Sequence, residues 1–192
     1  MKRLIIATSN AGKVIEIRSA LGEIKGWSLE PLPPNTPVID ETADTFLHNA
    51  MQKAEYYSRR VGELTLADDS GLCVEALGGR PGVHSARYGE NPEARIRRLL
   101  GEMEPVSEDN RRAVFYCALA LARSGNIVWT VQGEVAGVIT RAPSGAGGFG
   151  YDPVFRLPAL NRTMGELNTE EKNRLSARGR ALAELRKFLL SS

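Results

Sequence analysis

Arg3-Leu4-Ile5-Ile6-Ala7-Thr8-Ser9-Asn10-Ala11-Gly12-Lys13 joins an apolar, strand-like run to the start of a helix. Arg3 to Thr8 reads as a strand, Ser9-Asn10 as the lead-in, and the pattern from Ala11 to about Leu21 as a helix. A β-loop-α opening implies a sheet covered by helices, so the rest of the chain is read against an α/β frame. A proline-rich connection, Pro31 to Pro37, leads to the acidic stretch Asp40-Glu41-Thr42-Ala43-Asp44. A second helix then runs to about Val61, since Phe46, Ala50, Ala54, Tyr57 and Val61 make one apolar stripe. Leu64 to Ala67 and Leu72 to Ala76 read as two strands parted by Asp68-Asp69-Ser70-Gly71, with Ser70-Gly71 as the turn. After a Gly/Pro-rich loop from Gly78 to Tyr88, Asn91-Pro92 opens a short basic helix to about Leu100. Strands are predicted at Ala113 to Ala122, Ile127 to Val131 and Glu134 to Thr140, then a glycine-rich loop from Ser144 to Asp152 and a short strand at Val154-Phe155. The terminal helix ends near Leu190. Helices alternating with strands, followed by strand after strand, predict a mixed α/β sheet with an antiparallel section.

At 192 residues the chain is read as a single domain over 1–192, large enough to bury its own core without a disulfide or structural metal. Its formal net charge of only +2 argues against nucleic acid or an anionic membrane as partner. His48, His84, Cys73 and Cys117 stand at no zinc-ligand spacing, and no G-x-S-x-G elbow accompanies either histidine. An enzyme built from this chain therefore relies on carboxylates and lysines. Both cysteines lie in apolar runs, which predicts buried free thiols in a reducing compartment. The first apolar run, Leu4 to Ala7, is too short for a signal peptide, so the expected location is cytoplasmic.

Four clusters can carry chemistry. In Thr8-Ser9-Asn10-Ala11-Gly12-Lys13, a lysine sits in the first turn of a helix, where the dipole disfavours a cation by about 0.3–1 kcal/mol unless an anion lies between them. Either phosphate is that anion, with Asn10 capping and Lys13 adding charge, or this is an ordinary capped helix. It is not a Walker A loop, because the leading glycine is missing and Val14 replaces the Ser/Thr. In the second cluster, strand alternation sends Asp68 and Asp69 to opposite faces. Asp69 is expected to face the site, with Asp68 tied into backbone hydrogen bonds behind it; a polar turn capped by both is the alternative. Third, Asn49 and Lys53 share a helical face near Glu41, and Glu41 with Asp69 would suit magnesium. Fourth, Phe149, flanked by Gly148 and Gly150, either plugs the sheet or offers its ring to a base. Arg178 lies four before Leu182 on the inward stripe with Leu185 and Leu189, and so needs an acceptor, either a carboxylate or a purine keto oxygen.

Together with Pro81-Gly82-Val83-His84-Ser85-Ala86-Arg87-Tyr88 and Gly147-Gly148-Phe149-Gly150-Tyr151-Asp152-Pro153, these segments resemble the inosine/xanthosine triphosphate pyrophosphatase family, in its order and spacing over nearly the whole chain. The resemblance implies a Mg²⁺-dependent homodimer with a long mixed β-sheet flanked by helices, two lobes and the active-site cleft between them. It implies hydrolysis of non-standard purine nucleoside triphosphates (ITP, dITP, XTP) to the monophosphate and pyrophosphate. Thr8, Ser9, Asn10, Ala11, Gly12 and Lys13 match the phosphate-binding segment; Glu41 and Asp69 match the metal ligands, and Asp69 also matches the general base, with either Asp69 or its partner Asp68 expected to deprotonate the attacking water. Ser70 and Lys53 match triphosphate contacts, while Phe149, Gly150, Tyr151, Asp152, Lys172 and Arg178 match segments that hold base and sugar. One departure is Ala177, which stands where the family carries histidine. The rival readings are a Maf-type pyrophosphatase of modified pyrimidine nucleotides and a nucleotide-binding module without hydrolysis.

Overall fold

In the computed structural model, which describes residues 1–191, β1 (Lys2–Ala7) leads into α1 (Ala11–Leu21). Asn10 caps α1 as expected, its Oδ1 accepting the Lys13 N–H at 3.2 Å. The helix ends at Gly22, whose φ of 57° suits a residue without a Cβ. β2 (Trp27–Pro31) then lies parallel to β1. α2 (Phe46–Val61), capped by Thr45, is followed by β3 (Leu64–Val74), parallel to β1 on its other side. The chain continues through a 3₁₀ segment at Gly82–Arg87, α3 (Pro92–Glu102), β4 (Arg112–Arg123) and β5 (Asn126–Ile139). β6 (Phe155–Leu157), β7 (Arg162–Thr163), α4 (Thr169–Leu175) and α5 (Ala177–Leu190) complete it.

The strands form one open seven-stranded sheet in the order β2-β1-β3-β4-β5-β6-β7, parallel at one end and antiparallel from β3 onward. It is the mixed, helix-flanked α/β sheet that the sequence predicts. α2 packs on β3 and β4, where its stripe residues Ala50, Ala54 and Tyr57 meet Ala67, Ala118, Ala120 and Ala122. Phe46 and Val61, at the ends of that stripe, are half-buried. The larger core joins α1 and α5, with Leu182, Leu185 and Leu189 packed alongside Leu66, Leu119 and Leu121. Small residues under α2 and branched ones under α1 and α5 set how closely each layer approaches.

Three sequence expectations change. Asp68-Asp69-Ser70-Gly71 is not a turn: β3 runs through it unbroken, paired residue for residue with β4 from Thr65↔Ala122 to Val74↔Ala113. Gly71 serves close approach instead, since a Cβ there would stand 2.5 Å from Ser85 Oγ and 2.6 Å from Gly82 O. The strands expected at Ile127 to Val131 and Glu134 to Thr140 are one strand, in which Gly133 admits the backbone of Ala177. Cys117 is buried but Cys73 only half-buried, both as free thiols. The short strands β2 and β7 and the helix α4 carry no signal in the sequence reading; β2 is half-buried and ends on a proline. Among the described residues no helix is long and apolar enough to cross a membrane.

Candidate active site

The β1–β3 pairing stops at Ala7↔Ala67, while β3 continues along β4 alone. Past the carboxyl end of β1, the next residues of β3 therefore border open space rather than a neighbouring strand. There a cleft of about 340 Å³ is lined by Thr8, Ser9, Asn10 and Lys13, by Glu41 and Lys53, by Asp69 and Ser70, by Phe149 to Asp152, and by Lys172, Ala177 and Arg178. This is the position at which parallel α/β sheets bind ligands. The sequence-predicted residues thus converge from distant parts of the chain. Ala11, Gly12 and Asp68 do not line the cleft: Ala11 is exposed, Gly12 lies beneath the Phe149 ring, and Asp68 is buried behind the wall.

Strand alternation divides the two aspartates as expected, but Asp68 is not held by backbone groups. It accepts from Arg178 Nε at 2.9 Å and from the Cys117 thiol at 3.3 Å, and it pairs with Lys13. Burial alone would favour its neutral form; Arg178, Lys13 and Lys53 outweigh that and hold the carboxyl far below the usual carboxylate range. Asp69 faces α2, where Asn49 Nδ2 donates to it at 3.0 Å and Lys53 Nζ stands 3.6 Å away. Burial, with Glu41 adding repulsion, pushes Asp69 above the ordinary range despite Lys53 and Lys13. Lys53 also pairs with Glu41, so one ammonium stands between two carboxylates. Its own burial works against the charge, but Asp69, Asp68 and Glu41 together keep it protonated.

Helix geometry leaves the Ala11 and Gly12 N–H groups at the start of α1 without intrahelical partners. The Phe149 ring packs on Gly12, where a Cβ would stand 2.7 Å from Cδ1. The Lys172 ammonium lies 4.8 Å and the Arg178 guanidinium 5.4 Å from its centroid. A ring set between backbone and two cations belongs to the cleft wall and not to the sheet interior. Lys172 pairs with Asp152 and Glu16, both at 2.5 Å, and Asp152 Oδ2 also accepts the Phe149 N–H at 2.7 Å. Burial pushes Asp152 upward even so. Arg178 takes the carboxylate alternative, engaging Asp68 and Glu16, and adds the Ser70 hydroxyl at 2.6 Å. The Tyr151 hydroxyl is turned to Ser85 O at 3.0 Å, tying the glycine-rich loop to the 3₁₀ segment.

Glu16, Cys117 and Arg95 also line the cleft and were not singled out from the sequence. Glu16 had a signal, lying three after Lys13 and hence on the same helical face. Cys117 had none, since only the register Ser70↔Cys117 brings its thiol onto the Asp68 face.

An open α/β sheet, a capped helix start at the carboxyl end of β1, two lysines, a close carboxylate pair and an aromatic wall give the cleft the chemistry to receive phosphate groups and a flat ring. The family model described as the Ham1 family matches residues 4–188, and the chain belongs to that family. A protein named dITP/XTP pyrophosphatase from Geobacillus kaustophilus is 50% identical over 190 residues, covering 96% of this chain and 93% of that one. One of the same name from Gloeobacter violaceus is 49% identical over 185 residues, with the same coverage. The solved structure of a HAM1 protein from Coxiella burnetii superposes with a TM-score of 0.90 at 36% identity, covering all of both chains.

Proposed function

We propose that this chain is a nucleoside-triphosphate pyrophosphatase that converts ITP, dITP and XTP to the monophosphate and pyrophosphate, removing deaminated purines from the nucleotide pool. The carrying observation is that one cleft brings the α1 start and Lys13 together with Lys53, the Glu41–Asp69 pair and the face of Phe149. The proposal takes residues 1–192 as one catalytic domain, acting as a homodimer, as the family resemblance implies, in the cytoplasm, as the free thiols suggest.

Glu41 and Asp69 suit Mg²⁺. Their oxygens already converge on a single cation, Lys53 Nζ, and no group of three or more His, Cys, Asp or Glu side chains forms a metal cage among the described residues. Two carboxylates, with water and phosphate completing the octahedron, are the donor set that magnesium takes. Bound there, the ion would neutralise phosphate charge and orient the chain of phosphates. Lys13 and Lys53 stabilise charge developing on the departing pyrophosphate. Asp69 accepts the proton of the water that attacks the α-phosphorus. It borders the cleft and its affinity for protons is raised, whereas Asp68, locked between Arg178 and Lys13, is a poor proton acceptor and serves to position those cations.

The base stacks on Phe149. Lys172 has three donors, of which Asp152 and Glu16 occupy two; the third is left for a purine keto oxygen, which adenine lacks at position 6. Arg178, committed to carboxylates, supports this wall instead of reading the base itself. The test is incubation with Mg²⁺ and ITP, XTP, GTP, ATP and pyrimidine triphosphates, assaying pyrophosphate and orthophosphate separately. Pyrophosphate from ITP and XTP in preference to ATP is expected. Preference for modified pyrimidine nucleotides would indicate the Maf-type activity, and binding without turnover a sensing module.

A further inference from the structure

The cations that line the cleft are Lys13, Lys53, Arg95, Lys172 and Arg178. Four of them are already committed. Lys13 pairs with Asp68, Lys53 with Glu41 and Asp69, Lys172 with Glu16 and Asp152, and Arg178 with Asp68 and Glu16. Arg95 differs: the hydrogen bond of its side chain runs from Nε to Gly89 O at 3.3 Å, and among the described residues no carboxylate stands within ion-pair distance of it. Arg95 is half-buried at the cleft wall, near enough to Tyr151 to act on the phenol electrostatically.

The residues around Arg95 hold it in place. Gly89 packs against the α3 backbone, where a Cβ would stand 2.8 Å from the Arg95 N–H nitrogen, and that contact sets the carbonyl that receives Nε. Asn91 caps the helix, with Oδ1 accepting the Ala94 N–H at 2.8 Å. The other arginine on this face, Arg98, is spoken for: it donates to Glu102 at 2.9 Å and lies over the Tyr88 ring. With Nε anchored on a carbonyl, the two amino groups of Arg95 remain available. That is the forked donor set that matches an oxyanion.

Charge balance supplies the reason for such a group. Glu16, Glu41, Asp69 and Asp152 on the cleft wall, with Asp68 buried behind it, equal in number the five cations Lys13, Lys53, Arg95, Lys172 and Arg178, so the site has no formal excess of positive charge although none of these acids pairs with Arg95. A polyphosphate entering it must win cations from carboxylates everywhere except at Arg95. We propose that Arg95 is a substrate-binding residue whose guanidinium takes phosphate oxygens of the nucleotide from the α3 side of the cleft. The inference rests on reading this cleft as a nucleoside triphosphate site.

Calorimetric binding of inorganic tripolyphosphate, in the presence of Mg²⁺, is compared for wild type, Arg95→Ala, Arg95→Lys and Arg97→Ala; Arg97 is an exposed arginine of the same helix outside the cleft. Loss of a charged hydrogen-bonding contact should weaken tripolyphosphate about tenfold in Arg95→Ala, with partial rescue by lysine and a change of less than about twofold in Arg97→Ala. The KM for ITP should rise by a similar factor while kcat falls less, with the thermal midpoint unchanged. Equal effects at Arg95 and Arg97, unchanged tripolyphosphate affinity, or weakened binding of neutral inosine alone would each overturn the assignment. Failure of the wild-type protein to hydrolyse ITP, with tripolyphosphate still depending on Arg95, would instead refute the proposed activity and leave the anion contact standing.

Discussion

Replacing Asp68 by Asn and, separately, Asp69 by Asn should shift stability differently, although the two residues are adjacent on one strand. The Asp68 side chain is 1% exposed and ion-paired with Lys13 and Arg178. Removing one partner of a buried ion pair costs about 3–5 kcal/mol, because the cations left behind remain buried. Asparagine keeps an acceptor for Arg178, and Glu16 still holds that arginine, so the lower end, about 3 kcal/mol, is expected. In a chain of this size that corresponds to a fall of roughly 6–12 °C in the melting midpoint. Asp69 presents the reverse case. Burial and the neighbouring Glu41 disfavour its charge, while Lys53 retains Glu41 if Asp69 is neutralised. Asp69→Asn should leave stability unchanged or raise it by up to about 1 kcal/mol, while abolishing turnover. Urea unfolding of both variants in chelator-treated buffer measures the difference. An Asp68→Asn loss below about 1 kcal/mol, or an Asp69→Asn loss as large as that of Asp68→Asn, would refute the division of roles.

Gly71→Ala should destabilise by about 1–3 kcal/mol, because the new Cβ meets Ser85 Oγ and the Gly82 carbonyl, a pair already joined by a 2.6 Å hydrogen bond. A wild-type melting curve would show that the 3₁₀ segment yields freely. Glu102 accepts from Tyr88, Arg98 and Arg80 at 2.8–2.9 Å, and these partners outweigh its burial and hold its pKa below 4.5. Its contribution to stability is therefore present above pH 4.5 and lost as pH falls through the lowered folded value. Glu102→Gln should melt below wild type at pH 7 and converge with it in acid, and an equal gap at pH 3 and pH 7 would contradict this.

The parts of the fold legible in the sequence were those set by local chemistry. Asn10, Asn91-Pro92 and the apolar periods of α1, α2 and α5 depend on neighbours a turn or two away, and the structure places those elements as read. Ser70-Gly71 misled because a serine-glycine pair looks the same whether glycine turns the chain or merely clears space for Ser85 and Gly82. Gly133 is the same case, its lost side chain making room for the α5 backbone. The short strands β2 and β7 exist through pairing partners distant in sequence and carry little periodicity of their own. At the site, residue identities were legible but partnerships were not. Nothing local says that Asp68 is the shared acceptor of Lys13, Arg178 and Cys117, or that Glu16 joins Lys172 to Arg178.

Those partnerships explain how a chain of net charge +2 can hold a polyanion without a basic face. Burying an unpaired ammonium is costly, and Lys13 and Lys53 are accordingly paired with carboxylates. Phosphate binding then becomes an exchange of one oxyanion for another around cations whose positions are already set, and little reorganisation remains at the moment of reaction. The same arrangement limits affinity, because each exchange returns a carboxylate to a buried place without its partner. A divalent cation at Glu41 and Asp69 would relieve that for one pair, and Arg95, with no carboxylate to give up, adds attraction without an exchange. Binding should consequently depend on these two positive charges more steeply than on any of the pre-paired cations.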